Sequence, residues 1–440
     1  MKKYNAYKDS EVKWIGEIPE HWEITPLKFC FKVLSGATPK STELSYWEDG
    51  NINWITPADF KTEDRFISDG VKKITKEGFM SCSTTLIPSG SIIFSKRAPI
   101  GSVVINSNEV CTNQGCLSCI PKDDISSLFF YYIMSVSQKY FDMLGTGTTF
   151  NEISANVFKN VHLPVPPLSE QQAIASYLDA KTEKMDQMIA KAEKKIEYLG
   201  ELKQSLITRA VTRGLNPNAP LKDSGVKWIG KVPEHWEIMP FKYYGKLHKG
   251  LTFSKADLTA TGVPVISYGQ IHSKENKSVR FFEEGIRFIP RELTKNGDSA
   301  LVKQGDFIFA DTSEDLEGCG NYVYNDTTNP IYAGYHTIIY KTRERDCKYL
   351  AYLFRSNVWR SQIRCRVSGI KVYSITQGIM SQVNILLPPM SEQKEISTYL
   401  DIKCSKIDHI VATQKKKIAY LQELKQSLIT NVVTGKIKVS

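Results

Sequence analysis

Residues 9–29 read DSEVKWIGEIPEHWEITPLKF, and nearly the same segment returns at residues 223–243 as DSGVKWIGKVPEHWEIMPFKY. The two segments are identical at 15 of 21 positions. Self-similarity at a long spacing marks a repeated architecture. The chain is therefore expected to contain one structural unit twice.

A second repeat follows each unit and predicts a long helix. It begins at Pro167 with PLSEQQAIASYLD and at Pro389 with PMSEQKEISTYLD, and 27 of 46 positions match from Pro167 to Thr212. Apolar residues recur every seven positions in both copies, which is the spacing of a coiled-coil seam. The predicted seam consists of Leu178, Met185, Ile189, Ala192, Ile196, Leu199 and Leu206, and of Leu400, Ile407, Val411, Ile418, Leu421 and Leu428. Leu202 and Leu424 are expected to widen this seam.

Two copies of one unit tend to meet through a self-complementary, two-fold contact, so we expect the two helices to pair antiparallel. The fold class that follows is α+β, with two globular mixed α/β domains separated by two long helices that form an antiparallel coiled coil. This arrangement has an internal pseudo-two-fold repeat. In the alternative, each helix packs only on its own domain. The expected boundaries are an N-terminal motif at 1–29, a first domain at 30–166, a central helix at 167–213, a linker with the repeated motif at 214–243, a second domain at 244–388 and a distal helix at 389–440.

The two domains themselves read as compact and rich in strands. A turn followed by a β-prone run predicts strands at 90–95 and 305–310. Aromatic and aliphatic residues at helical spacing predict helices at 126–142 and 349–363.

The composition is that of an ordinary globular protein, with 41% hydrophobic and 24% charged residues. No apolar run approaches the ~20 residues of a membrane helix, so no membrane contact is expected. Nine cysteines without paired spacing predict reduced thiols and a cytoplasmic location. Cys116 and Cys119 form a C-x-x-C motif, but no second cluster completes a zinc site, and we interpret them as buried structural residues.

The positive charge is unevenly distributed. The net charge of +10 is compatible with a polyanionic partner but does not establish one. Residues 30–162 carry 12 basic and 13 acidic side chains, whereas residues 244–386 carry 19 and 14. The basic excess therefore lies in the second half of the chain.

Motifs that would indicate catalysis fail on inspection. Gly225 to Lys231 has the spacing of a phosphate-binding loop, but Val232 stands where a Ser or Thr must hold magnesium. No G-x-G-x-x-G motif and no Asn-Pro-Pro-aromatic tetrapeptide occurs. His21 and His235 lack a nucleophile or carboxylate framework in the sequence and are interpreted as structural. We therefore expect a non-catalytic chain with no cofactor or metal site of its own.

The duplicated motifs, in this order, resemble the specificity subunit of type I restriction–modification enzymes. The resemblance covers essentially the whole chain. The motifs that carry it are the proline-rich helix starts LPVPPLSEQQ at 163–172 and LPPMSEQ at 387–393, the segments from Trp14 to Trp22 and from Trp228 to Trp236, and the SGATP opening of the first domain at 35–39.

This resemblance implies a function for each part. The two domains would be target recognition domains, each reading one half of a bipartite, asymmetric sequence in double-stranded DNA. The coiled coil would set the spacing between the half-sites and bind two modification subunits, which carry S-adenosylmethionine and methylate adenine. Restriction subunits, which use ATP and Mg²⁺, would join optionally.

Candidate DNA contacts are polar residues beside glycines or strand ends, where loops project from a scaffold. In the first domain they are Lys40, Lys96, Arg97, Asn113, Gln114, Thr148, Thr149 and Asn151. In the second domain they are Tyr268, Gln270, His272, Asp311, Ser313, His336, Arg364, Arg366 and Lys371. Arg355 and Arg360 would complete a basic stripe suited to phosphate.

Two other classes of function remain as alternatives. One is an enzyme in which a methyltransferase or nuclease is fused to recognition domains, and the missing cofactor and metal motifs argue against it. The other is a coiled-coil adaptor with paired protein-binding heads. The repeated W-I-G-x-x-P-E-H-W motif has two interpretations as well: it pins each domain to its helix, or it forms a docking surface for modification subunits.

Overall fold

The computed structural model describes residues 2–61, 64–97, 99–147, 151–276, 279–281, 283–295, 297–343 and 347–439. The chain forms two compact units. The first unit comprises Met1–Glu193 and Lys415–Ser440, and the second comprises Lys194–Gln414. The division falls within both long helices, so each unit contains a part of each helix.

The two larger sheets of the first unit have the strand orders β4-β11-β8-β9-β6 and β10-β5-β7, and β1-β2 and β12-β3 form two-stranded sheets. Its strands are β1 Tyr7–Asp9, β2 Glu17–Pro19, β3 Glu23–Pro26, β4 Phe31–Ser35, β5 Ile52–Ile55, β6 Phe66–Ile67, β7 Lys72–Ile74, β8 Ile92–Ser95, β9 Val103–Asn106, β10 Cys111–Thr112, β11 Cys116–Pro121 and β12 His162–Val165. Its helices are α1 Leu27–Cys30, α2 Lys76–Met80, α3 Ser127–Val136, α4 Gln138–Met143, α5 Ala155–Lys159 and the start of α6 Leu168–Arg213.

The second unit repeats this plan with the strand orders β16-β24-β20-β22 and β18-β17-β23-β19. Its strands are β13 Leu221–Asp223, β14 Lys231–Pro233, β15 Glu237–Pro240, β16 Gly245–Lys249, β17 Val263–Ile266, β18 Arg287–Ile289, β19 Leu301–Val302, β20 Phe307–Ala310, β21 Thr312–Ser313, β22 Tyr322–Tyr324, β23 Ile331–Ala333, β24 Thr337–Thr342, β25 Tyr373–Ser374 and β26 Asn384–Leu387. Its helices are α7 Phe241–Tyr244, α8 Tyr268–Ile271, α9 Lys348–Arg355, α10 Asn357–Arg364, α11 Gln377–Ser381 and the start of α12 Met390–Val433.

The strands predicted at 90–95 and 305–310 are present as β8 and β20, and both are fully buried. The single helices predicted at 126–142 and 349–363 are wrong, because each is two helices. The first breaks at Ser137 and the second at Ser356. The Ser356 hydroxyl accepts a hydrogen bond from the backbone N–H of Trp359 at 3.3 Å, so the serine caps a new helix instead of continuing the old one.

A glutamate at the start of each long helix fastens the repeated W-I-G-x-x-P-E-H-W motif. In the first unit, Glu170 accepts the indole N–H of Trp22 at 3.1 Å and lies 2.9 Å from Nε2 of His21. The Tyr4 hydroxyl donates to the same carboxylate. Because Trp22 is fully buried, this contact ties the entering chain to the helix that leaves the domain.

The second unit repeats this arrangement. Glu392 accepts the indole N–H of Trp236 at 3.1 Å and lies 2.7 Å from Nε2 of His235. The two histidines, which the sequence predicts to be structural, thus each lie against a helix carboxylate.

A second anchor joins each long helix to the body of its domain. Asp179 accepts the hydroxyl of Tyr132, on α3, at 2.5 Å, and it also pairs with Arg65. The equivalent Asp401 accepts the hydroxyl of Tyr352, on α9, at 2.7 Å and pairs with Lys348 at 2.6 Å. Both anchors combine a hydrogen bond from a neutral hydroxyl with an ion pair to the same carboxylate.

Within each unit, α6 and α12 pack against each other in opposite directions. In the first unit, Lys425 donates to Asp186 at 2.6 Å, and in the second, Lys203 donates to Asp408 at 2.7 Å. Since the α12 partner moves from 425 to 408 as the α6 residue moves from 186 to 203, the pairing is antiparallel. This confirms the predicted coiled coil and excludes helices packed only on their own domains.

The residues of the predicted seam are all buried or half-buried. The expected widening by Leu202 and Leu424 is wrong, because both side chains are exposed. They lie one position to the side of the contact line. The next residues, Lys203 and Lys425, occupy the seam positions instead, and each pairs with a carboxylate of the opposite helix.

Candidate nucleic-acid interface

Three loops of the first unit meet beside the end of β8. Lys96 follows this strand directly, and its backbone N–H donates to the carbonyl of Gly115 at 3.0 Å, in the turn between β10 and β11. The carbonyl of Lys96 accepts the N–H of Ile153 at 3.0 Å, in the segment before α5. Backbone hydrogen bonds therefore hold the three loops in a fixed arrangement, whatever side chains they carry.

The second unit has the same arrangement beside the end of β20. The N–H of Asp311 donates to the carbonyl of His336 at 3.2 Å, and the carbonyl of Asp311 accepts the N–H of Ile375 at 2.7 Å. These bonds make three pairs of positions structurally equivalent in the two units: Lys96 with Asp311, Gly115 with His336, and Ile153 with Ile375. We call this set of loops the loop framework of each unit.

Cationic side chains dominate the loop framework of the first unit. Lys96 forms an ion pair with Glu152 at 2.8 Å, whereas Arg97 lies 3.7 Å from the same carboxylate, beyond hydrogen-bond distance. The side chain of Arg97 is 38% exposed. Nearby, the hydroxyl of Thr38 donates to Gln114, which orders the side chain of one predicted DNA contact.

The loop framework of the second unit carries an acid and a histidine. Nδ1 of His336 lies 3.2 Å from Oδ1 of Asp311, and the histidine side chain is 58% exposed. The rings of Tyr268 and Tyr335 flank His336, with centroids 5.7 and 6.0 Å away. His336 also has a backbone φ of 52°, in the left-handed region that β-carbon residues rarely adopt.

Several predicted contacts use their polar atoms locally. In the first unit, Asn113 accepts the N–H of Gly115, and Asn151 donates to the carbonyl of Asp142 at 3.0 Å. Such bonds are typical of turns. These two residues stay predictions, since they would have to exchange local bonds to reach a base.

The same holds for three residues of the second unit. Gln270 accepts the N–H of Ser267, and His272 has its two ring nitrogens next to the carbonyl of Thr312 and the amide of Asn321. Ser313 is buried, and its hydroxyl donates to the carbonyl of Asp315 at 2.7 Å. Because Ser313 is buried, its hydroxyl could reach a base only after a large rearrangement of the loop.

The predicted basic stripe is wrong in one member. Arg360 is buried and donates to the carbonyl of Phe354 at 3.2 Å, and burial lowers the pKa of its guanidinium to about 10. Arg364 donates to the carbonyl of Glu317 at 2.8 Å, and Arg366 donates to that of Gln362 at 2.5 Å.

Two further predicted contacts, Lys40 and Lys371, lie in loops. Both are exposed. Thr148 and Thr149 lie outside the described residues.

Sequence reasoning missed three residues in or beside the loop frameworks. Glu152 follows Asn151 directly in the sequence, but its ion pair with Lys96 joins two segments that only folding brings together. Phe253 and Tyr335 stack edge to face with centroids 5.2 Å apart, and only the folded chain brings them together.

Cys116 and Cys119 are buried in β11, as interpreted from the sequence, and Cys111 is buried in β10. Burial raises the pKa of the Cys111 thiol to about 11, so this thiol is protonated near neutral pH. Among the described residues, no cluster of histidine, cysteine or carboxylate side chains has the arrangement of a metal site. No described helix is long and apolar enough to span a membrane.

An exposed apolar patch occurs once on the helix pair of each unit. In the first unit it consists of Met188, Tyr420 and Leu424, and in the second of Ile410, Tyr198 and Leu202. The tyrosines are 63% and 54% exposed, respectively. The repeated helix sequences place Tyr198 in register with Tyr420 and Leu202 with Leu424. We call these groups the helix patches.

The two residues that oppose each other in a helix patch share one side of the seam. Met188 and Leu424 occupy the same flanking position of the heptad, as do Leu202 and Ile410. In an antiparallel pair such positions face each other across one edge of the contact line. Each helix patch therefore places exposed apolar side chains of both helices on one side of the seam.

Comparison with known families matches residues 19–198 and 233–421 to the type I restriction modification DNA specificity domain. The specificity subunit of the type I restriction enzyme MjaIX of Methanocaldococcus jannaschii is 25% identical over 432 residues, covering 97% of this chain and 95% of the relative. The EcoKI specificity subunit of Escherichia coli strain K12 is 24% identical over 444 residues, covering 96% and 90%.

Solved structures share the fold. A chain from a structure of a type I restriction–modification system has a TM-score of 0.71 at 16% identity and covers 96% of this chain and 99% of its own length. The HsdS subunit of Thermoanaerobacter tengcongensis has a TM-score of 0.52 at 16% identity, with coverages of 96% and 98%. The family match includes both copies of the repeat, and the chain therefore belongs to the type I restriction–modification specificity-subunit family.

Proposed function

We propose that this chain is the non-catalytic DNA-specificity subunit of a type I restriction–modification complex. Each domain reads one half of a bipartite, asymmetric target in double-stranded DNA. The observation that carries this proposal is the loop framework, which keeps its backbone hydrogen bonds in both units while Lys96 is replaced by Asp311 and Gly115 by His336. Since base-edge contacts specify sequence, unlike side chains on like frameworks should read unlike half-sites.

The coiled coil sets the spacing between the half-sites and docks two modification subunits. The helix patches support the docking of two modification subunits. Both patches contain a Tyr and a Leu at matching positions, and Met188 of the first patch corresponds to Ile410 of the second. The two patches therefore suit two copies of one partner. Exposed apolar clusters of this kind mark interaction sites more often than isolated apolar residues do.

The chemistry belongs to the partners in this proposal. The modification subunits bind S-adenosylmethionine and methylate adenine, and optional restriction subunits use ATP and Mg²⁺. The specificity subunit contributes binding and position only.

The test of the recognition role is a single-molecule methylome. A methylation-free host expresses the modification subunit encoded beside this chain, with and without the chain. Methyladenine in one asymmetric, interrupted motif, present only with this chain, is the expected result. A stable complex that leaves the genome unmethylated contradicts the recognition role for this pair, and the absence of any complex favours the adaptor.

The test of docking is the stoichiometry of the complex. Leu202→Asp places a charge in the helix patch of the second unit and should reduce the number of bound modification subunits from two to one by native mass spectrometry. Ile402→Asp is the matched control, because Ile402 is an exposed apolar residue of α12 outside the helix patches. Two bound subunits in both variants would contradict docking at the patch.

A further inference from the structure

The equivalent positions of the two loop frameworks carry hydrogen-bonding groups of opposite sense. This inference rests on the proposed function and concerns which chemical groups of the bases are read. Its starting point is the exchange of Lys96 and Gly115 in the first unit for Asp311 and His336 in the second.

The pair in the second unit presents acceptors. An ionised carboxylate only accepts hydrogen bonds, so in the neutral tautomers of His336 the contact of 3.2 Å with Asp311 selects the one with its proton on Nδ1. Nε2 of His336 is then an acceptor, and the carboxylate has further lone pairs. With the histidine side chain 58% exposed, these acceptors lie at the surface of the loop framework.

The backbone of His336 supports a role beyond packing. Its φ of 52° costs energy for any residue with a β-carbon. Strain of this kind is retained where the side chain has a use.

The first unit presents donors. Glu152 takes the ammonium group of Lys96 at 2.8 Å but leaves the guanidinium of Arg97 at 3.7 Å. Nε of Arg97 would lie 3.3 Å from a β-carbon built on Gly115, so the missing side chain leaves room for the guanidinium over the turn. Arginine donors match the O6 and N7 acceptors of guanine.

We propose that Asp311 and His336 select a base by its exocyclic amino group, the N6 of adenine or the N4 of cytosine, whereas Arg97 selects guanine by its acceptors. Carboxylates accept from such amino groups in the major groove. The two loop frameworks therefore differ in the sense of the hydrogen bonds that they offer to a base.

The experiment removes single amino groups from the DNA. The complex of the full chain with its modification subunits binds duplexes in which purine replaces adenine, or 2-pyrimidinone replaces cytosine, at each position of the half-site. That half-site is identified as the one whose motif changes in the methylome of second-unit variants. Binding is compared for the wild type, Asp311→Ala, His336→Gly and the control Asp298→Ala, which removes an exposed carboxylate of the same domain.

The expected result is a coupling between one amino group and the acceptor pair. Loss of that amino group weakens binding by the wild type and the control about tenfold, within the range for one specific base contact. The same loss costs Asp311→Ala and His336→Gly less than about twofold, since the acceptor is already gone. His336→Gly should also unfold at an unchanged or higher temperature, because glycine relieves the strained φ.

The other outcomes are decisive as well. An equal penalty in the wild type and both variants, or no penalty at any position, overturns the proposal. A coupling of the pair instead to the loss of N7, in duplexes that carry 7-deazaadenine or 7-deazaguanine, would show that the pair donates, and it would overturn the proposal too. Wild-type complex without any sequence-selective binding would refute the proposed function itself, and retained binding of the other half-site verifies that the variants are folded.

Discussion

The two units keep the same buried contacts and differ at their exposed loops. Trp22 and Trp236 donate to glutamates at equal distances, and Tyr132 and Tyr352 both donate to an aspartate of a long helix. At the loop frameworks, by contrast, a lysine in one unit corresponds to an aspartate in the other. The buried contacts that hold each unit together and the proposed base contacts thus involve separate sets of residues, so one set can change while the other is kept.

The largest expected effect comes from the buried tryptophans. Trp22→Ala or Trp236→Ala should destabilise its own unit by about 3–5 kcal/mol, the usual cost of emptying a large buried site. Urea unfolding of the full chain gives the magnitude, and hydrogen exchange in β4 or β16 identifies the unit affected.

The control is Trp228→Ala, which removes a side chain that is 41% exposed. Its effect should stay below about 1 kcal/mol. If the losses of unfolding free energy in Trp22→Ala and Trp236→Ala differ by more than about 2 kcal/mol, the two tryptophans do not stabilise their units equally.

Glycines at the ends of the long helices should rank next. Gly435 has a φ of 74°, and an added β-carbon would lie 2.2 Å from Cδ of Pro19. Gly435→Ala should therefore destabilise the first unit by about 2–4 kcal/mol, from left-handed strain together with overpacking.

Gly214→Ala in the second unit should cost less, because its β-carbon meets the flexible end of Glu392 at 2.7 Å. Gly225→Ala isolates the strain, since its φ is 69° and no atom lies within 4 Å of the added carbon. Thermal unfolding should place the three variants in this order. Equal losses would mean that the proline contact adds nothing.

The tyrosine anchors should have intermediate effects. Tyr132→Phe and Tyr352→Phe each remove one hydroxyl that donates to a helix aspartate, and each should cost about 1–2 kcal/mol. Tyr420→Phe, at an exposed tyrosine of α12, is the matched control and should leave the unfolding midpoint unchanged. A loss in only one of the two units would show that Arg65 or Lys348 suffices to hold that aspartate.

The smallest expected effect is a pH dependence confined to the second unit. Burial, with Lys341 and Lys246 nearby, holds the pKa of His248 below its usual value. As the pH falls through about 6.5, the unfolded chain takes up this proton more readily than the folded chain, so the second unit loses stability.

The first unit provides the control for this titration. The strand registers place Leu34 of β4 where β16 has His248. His248→Leu should therefore remove part of the loss in stability between pH 7.5 and pH 5.5, measured by hydrogen exchange in β16. An unchanged pH dependence in this variant would assign the loss to other groups.

The sequence by itself determined the repeat, the fold class and the antiparallel helices. The duplicated segments and the heptad spacing are local patterns, and burial of an apolar seam follows from them without knowledge of the rest of the chain. The sequence also singled out Lys96, Arg97, Asp311 and His336, because each stands beside a strand end.

The tertiary structure decided what these residues do. Only folding brings Asp311 to His336 and Glu152 to Lys96, since each pair joins segments far apart in the chain. It also turned Arg360 inward and broke the predicted helices at Ser137 and Ser356, where a hydroxyl or a carbonyl competes for a backbone partner. The periodicity of a sequence shows which face of an element is apolar, so the repeat and the helix pairing could be predicted from it. The partner of a polar side chain depends on contacts between distant elements. The contacts of the loop residues could therefore be found only in the folded chain.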